Sequence, residues 1–115
     1  MMFSESQNNN GYSEMNPIDF SCVLSQLSKT QREKLVAGYN VKNLEKVFND
    51  AGIMNTIDVF LKNGMNVSRT ARILYMHRNT LMYKLGSIKK LTGLDLKDFD
   101  MAVTFKILHT VYALR

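Results

Sequence analysis

The residues best suited to chemistry lie in one stretch, Val67-Ser-Arg-Thr-Ala-Arg-Ile-Leu-Tyr-Met-His-Arg-Asn-Thr-Leu-Met-Tyr-Lys-Leu-Gly86. Arg78 can present a planar fork to guanine, and Asn79 can pair with adenine or hold a phosphate. His77, Met82 and Tyr83 lie beside them as further candidates for base edges. Ser68, Arg69, Arg72, Thr80, Lys84, Lys89 and Lys90 have the hydroxyls or the charge and reach for phosphates, which position a protein on a duplex without specifying sequence. Such contacts work only from a rigid element, and the apolar residues between them supply one. Ala71 is small enough to let two helices approach, Leu74 and Met76 flank a tight turn and plug the core, and Leu81 and Leu85 anchor a second helix. That is a helix-turn-helix, whose second helix leaves its start and outer face free for a major groove. Tyr75 stands where the turn usually has Gly, and positive φ is uncommon outside Gly and Asn.

His77 has no Asp, Glu or Cys near it in sequence, so capping the second helix or touching DNA suits it better than catalysis. Tyr83 can contact phosphate through its hydroxyl or lean on a neighbouring helix. Charge supports a polyanion partner more by its distribution than by its sum of +5. From Val59 to Leu94 there are seven basic residues and no acidic one, whereas the rest of the chain carries eight basic and ten acidic side chains. A block of one sign on an amphipathic, foldable segment is the footprint of nucleic-acid binding, although charge alone also fits a merely basic surface. No general acid–base pair, phosphate loop or metal cluster is visible, so neither an enzyme nor a cofactor is expected. Two histidines and one cysteine, far apart, offer little to zinc. A lone Cys22 forms no internal disulfide, and the apolar runs are too short for a membrane span, so a cytoplasmic protein is expected.

The 115 residues suit one domain. No segment sustains a period of two, and the elements read as all-α. Met1 to Met15 is polar and without period, a disordered tail. Asn16-Pro17 reads as a helix start, with Ile18, Cys22, Leu24 and Leu27 following at helical spacings and Cys22 as a small core residue. Thr30-Gln31-Arg32-Glu33 suggests a capping box, with a stop near Gly38. Asn40 caps a third piece whose stripe of Leu44, Val47 and Phe48 ends at Ala51-Gly52. Asn55 opens a short helix that stops at Asn63-Gly64, and Ser68 caps the next. Leu81, Leu85, Ile88 and Leu91 then repeat to Thr92-Gly93. Gly86 in the middle of that helix costs about 1 kcal/mol relative to Ala, and nothing in the sequence accounts for it. Asp98 caps a last helix from Phe99 to Leu114. Its apolar residues (Met101, Val103, Phe105, Ile107, Leu108, Val111, Tyr112 and Leu114) cover an arc of about 200°, wider than one small domain needs. Either a second copy or the chain's own helices between Pro17 and Asp50 must cover the excess, and a homodimer suits paired recognition helices.

The run Asn66-Val67-Ser68-Arg69-Thr70-Ala71, then Leu74, then His77-Arg78-Asn79-Thr80-Leu81-Met82-Tyr83-Lys84-Leu85, with Ile88, Leu91-Thr92-Gly93 and Leu96, resembles the C-terminal DNA-binding domain of the PucR/CdaR family. Upstream, Thr56-Ile57 and Phe60-Leu61-Lys62-Asn63-Gly64 resemble the helix that precedes it. The likeness runs from Leu44 to about Leu114; Met82 and Lys84 stand where the family often has Arg, and Gly86 is also a departure. These are bacterial regulators of purine catabolism and sugar-diacid use. The resemblance implies a Fis-like helix-turn-helix core, a double-stranded DNA partner and a role in transcription. It also implies a ligand-sensing region ahead of the domain, so the chain reads as a module of a longer regulator or a stand-alone relative, with no small-molecule site of its own. The expected organisation is a tail over 1–15, a helical segment over 16–52 and the DNA-binding domain with its long last helix over 53–115. The competing class is a protein-interaction module that keeps the helix-turn-helix only as scaffold. RNA binding is less favoured, since no platform of adjacent aromatics is evident.

Overall fold

A computed structural model describes residues 17–115, which form seven helices and, among the described residues, no strand. They are α1 (Phe20–Leu24), α2 (Lys29–Val36), α3 (Val41–Phe48), α4 (Ala51–Lys62), α5 (Val67–Ile73), α6 (Arg78–Thr92) and α7 (Phe99–Ala113). The expected tail over 1–15, and Asn16 with it, lie outside the described residues. One core gathers Leu44 and Val47 of α3, Ile57 and Phe60 of α4, Ala71 of α5, Leu81, Leu85 and Ile88 of α6, Leu94 and Leu96 of the following loop, and Phe105 and Leu108 of α7. Each fully buried Leu, Ile or Phe contributes about 1.5–3 kcal/mol relative to exposure.

Several helix starts fall earlier than the residue pattern suggests, because a better-placed acceptor precedes the expected cap. Ser28, not Thr30, makes the capping box: its hydroxyl accepts from the Gln31 N–H at 3.1 Å, and the Gln31 side chain accepts from the Ser28 N–H at 2.8 Å. Asp50 caps α4 by accepting from the Ile53 N–H at 3.0 Å. Ala51-Gly52 therefore starts α4 and does not end α3, which stops earlier, at Phe48. Glycine is tolerated in that first turn, where N–H groups lack helical partners in any case. Asn66 takes the position expected of Ser68, accepting from the Arg69 N–H at 2.9 Å. Asp19 opens α1, so Pro17 and Ile18 precede the helix. Cys22 is exposed rather than core, since this five-residue helix buries only Leu24. Asn40 caps α3 as expected, through the Asn43 N–H at 3.1 Å. Asp98 precedes α7 but makes no side-chain cap.

The wide apolar arc of α7 is covered largely from within the chain. Ala102, Phe105, Leu108 and Val111 are buried, and both α1 and α2 pack against this helix. Lys106 lies over the Phe20 ring, 5.7 Å from its centroid. On the α3 side, Phe48 meets Phe105, His109 and Tyr112 at centroid separations of 5.5, 5.0 and 5.1 Å. Tyr112 donates to Asn49 at 3.0 Å, and Arg115 pairs with Glu45 at 3.2 Å. Phe99 and Met101, at the start of α7, stay exposed.

His109 is held below the ordinary histidine value of 6.5, first by burial among these rings and then by the Lys106 charge, with Asp58 opposing. A depressed histidine lets the unfolded chain take up the proton first, so its contribution to stability is full above that value and falls as pH drops below it. The thermal midpoint should therefore decline from about pH 6.5 downward, before carboxylates titrate. His109→Phe should flatten that part of the profile in a calorimetric pH series. An unchanged slope in the variant would assign the dependence elsewhere.

Candidate nucleic-acid interface

The connection between α5 and α6 is built by a helix C-terminus. The Met76 N–H donates to the Ala71 carbonyl at 3.0 Å and the Tyr75 N–H to the Arg72 carbonyl at 3.2 Å. That pair of bonds is a Schellman motif, and it places Tyr75 at the left-handed position with φ of +54°. Met76, the next residue, turns inward and packs on the core. The tyrosine side chain does nothing for the fold, being 96% exposed. A related turn ends α4, where the Met65 N–H donates to the Phe60 carbonyl at 2.9 Å and Gly64 and Met65 both have positive φ.

His77 then opens α6. Its Nδ1 accepts from the Asn79 N–H at 3.0 Å, so the capping role anticipated for it is the one it plays, with the ring otherwise exposed. Leu81 and Leu85 are at most 1% exposed and Ile88 is 4% exposed, so one side of α6 is committed to the core. Ala71 is buried where α5 crosses it, beside a fully buried Thr70 whose hydroxyl has no partner. The far end of α6 is held by a residue that sequence reasoning passed over: the Asn43 side-chain amide donates to the Leu91 carbonyl at 2.9 Å. Only its place on the polar side of α3 hinted at this, and the partner lies 48 residues away. Gly93, at φ of +83°, closes the helix.

With that rotation fixed, Arg78, Asn79, Thr80, Tyr83, Lys84, Lys89 and Lys90 are exposed on α6, and Ser68, Arg69 and Arg72 are exposed on α5. Met82 differs from the outward position given to it: it is half-buried, at the margin between the core side and the open face. Lys89 is engaged by Asp95 at 3.8 Å, and Lys62 by Asp58 at 3.2 Å. Both pairs are solvated and worth little. Among the described residues, Arg69, Arg72, Arg78, Lys84 and Lys90 have no such partner. A cleft of about 280 Å³ runs along one edge of α6, with Val47, Ile53, Ile88 and Leu91 as its apolar lining and Tyr83 and Lys84 at its rim.

Residues 53–108 match the PucR C-terminal helix-turn-helix domain. This stretch, just under half of the chain, is a PucR-type helix-turn-helix domain. The purine catabolism regulatory protein of Bacillus subtilis is 35% identical over 63 residues, 55% of this chain and 12% of that protein. The carbohydrate diacid regulator of Escherichia coli is 37% identical over 57 residues, 50% of this chain and 15% of the regulator. A crystal structure described as a regulator of polyketide synthase expression from Bifidobacterium adolescentis superposes with a TM-score of 0.57 at 26% identity, covering 82% of this chain and 36% of that one. The chain thus spans only a small part of its PucR-type relatives' length. No described helix is long and apolar enough to cross a membrane.

The PucR-type turn of this chain can be tested through its stability. Tyr75→Gly removes the left-handed strain of a side-chain-bearing residue at the cost of a more flexible unfolded chain, for a net gain of about 0.5–1 kcal/mol. Urea unfolding should show a raised midpoint. A loss of stability would mean the ring contributes to the fold despite its exposure.

Proposed function

We propose that the unit over 53–115 is a sequence-specific, double-stranded-DNA-binding module of a transcriptional regulator, with the helical segment over 16–52 supporting it and the 1–15 segment outside it. The observation that supports this reading is the exposed, acid-free face of α6: burial of Leu81, Leu85 and Ile88 turns Asn79, Tyr83 and Lys90 outward, with Arg78 at the edge of the helix start. In this reading α6 enters the major groove. Arg78 and Asn79 read base edges from its first turn with His77 and Tyr83 beside them, and Met82 adds an apolar edge at most. Ser68, Arg69 and Arg72 on α5, and Thr80, Lys84, Lys89 and Lys90 on α6, meet phosphates on either side. Two copies on a duplex would read paired half-sites, and Phe99 and Met101, exposed at the start of α7, are among the apolar residues left for contact between them. The module works in the cytoplasm, where bacterial DNA lies, and performs no catalytic step.

The protein-interaction alternative draws support from Ile73 and Tyr75, which are exposed beside the turn. Salt separates the two. With about four free cations (Arg69, Arg72, Lys84 and Lys90) neutralising phosphates, log K for duplex binding should fall with log salt at a slope of about −4, whereas an apolar protein contact barely responds. Arg78→Ala or Asn79→Ala should cost about 1–3 kcal/mol on a selected site and relax base preference there. Lys90→Ala should weaken all duplexes alike and flatten the slope by about one. Anisotropy titrations check each. Equal binding of every duplex by Arg78→Ala and the parent would remove the groove assignment.

A further inference from the structure

Gly86 lies midway along the 15-residue α6, and none of the usual reasons for a glycine applies to it. Its φ is ordinary, because the glycines with positive φ among the described residues are Gly64 and Gly93. Nothing crowds it, since a Cβ built there would meet no atom within 4 Å. It does not end the helix, which continues to Thr92. Within the chain, then, an alanine would fit and would favour the helix. Nothing within the chain offsets the cost of a glycine there.

It lies on the outward side of the helix. At about 100° per residue, Asn79, Tyr83, Gly86 and Lys90 fall within an arc of about 60°, on the side opposite Leu81, Leu85, Ile88 and Thr92. Gly86 is thus the bare point on the outward stripe, exposed between Tyr83 and Lys90, with the half-buried Met82 and the exposed Ser87 at the margins of that stripe. A helix with its side chains is about 10–12 Å across and the major groove about 12 Å wide, so one methyl on the leading face decides how deeply the helix sits.

Resting on the DNA-binding reading above, we infer that Gly86 is the point of closest approach between α6 and DNA, and that its missing side chain sets the depth at which Arg78 and Asn79 reach base edges. Lys90 on the same stripe, and an α6 without a carboxylate, favour a nucleic acid there over an apolar helix of a second copy. Gly86 is a positioning residue in this account. It touches the groove with backbone and gives the neighbouring Tyr83 ring room to settle against a sugar or base.

The test opposes stability to affinity. A duplex of about 30 base pairs is first selected by the parent protein from a randomised pool, long enough for two half-sites one turn apart. Gly86→Ala should raise the thermal midpoint by about 4–8 °C through helix propensity. The same variant should bind the selected duplex about tenfold more weakly, as loss of a good base contact would make it. Its salt slope should stay at the parent's value, because no phosphate contact has been deleted. Gly86→Leu should bind more weakly still while remaining folded. If Gly86→Ala is stabilised and binds within about twofold of the parent, the inference is overturned. A lowered midpoint would make the glycine a requirement of the fold and overturn it equally, as would altered self-association with unchanged DNA affinity. If the parent selects no duplex at all, the DNA-binding reading falls and this inference with it.

Discussion

The arrangement depends on the burial of one stripe of α6. Leu81, Leu85 and Ile88 share one core with residues of α3, α4 and α5, and this fixes the rotation of the helix about its axis. Every polar residue on α6 takes its direction from that choice. A rotation by one residue would turn Asn79 and Tyr83 away from the open face and bring lysines toward the core, at the cost of burying charge. The other helices can be understood as the means of holding this rotation. Ala71 lets α5 come close, the Schellman turn through Tyr75 sets where α6 begins, and the Asn43–Leu91 bond holds its far end.

A second layer, α7 with α1 and α2, keeps the first one dry. Phe105 and Leu108 complete the core, while the aromatic cluster at Phe48 and the ties at Tyr112 and Arg115 lock α7 to α3. The segment before α3 therefore covers a helix too apolar to face water on both flanks. The PucR-type helix-turn-helix rests on this layer, and its basic face is left without opposing carboxylates except at Asp95 and Asp58.

Much of the architecture was legible in the residues, and the reasons for the exceptions are local. The stripes of α3 and α6 were long enough for helical spacing to identify their buried sides, and Ala71 and the turn residues marked the crossing. Cap positions were less legible. Ser28 and Thr30, or Asn66 and Ser68, are equally able acceptors two residues apart, and tertiary packing decides between them. Cys22 looked internal because Leu24 and Leu27 share its short run, yet a five-residue helix can bury only one narrow edge. The cover over α7 could not be read because both solutions, a second copy and the chain's own helices, present the same apolar arc. On α6, spacing gave the direction of Asn79 and Tyr83, but it could not show Met82 half-covered or Lys89 engaged by Asp95.

The central claim is that the face of α6 opposite its buried stripe is the surface that meets DNA. Its most direct test is amide chemical-shift mapping of the folded chain titrated with duplex DNA at moderate salt. The account predicts that shifts concentrate at Arg78, Asn79, Tyr83, Gly86 and Lys90, with a second group at Ser68, Arg69 and Arg72, while α1, α2 and α7 stay still. Shifts confined to α7 and the N-terminal helices, with α6 silent, would contradict it.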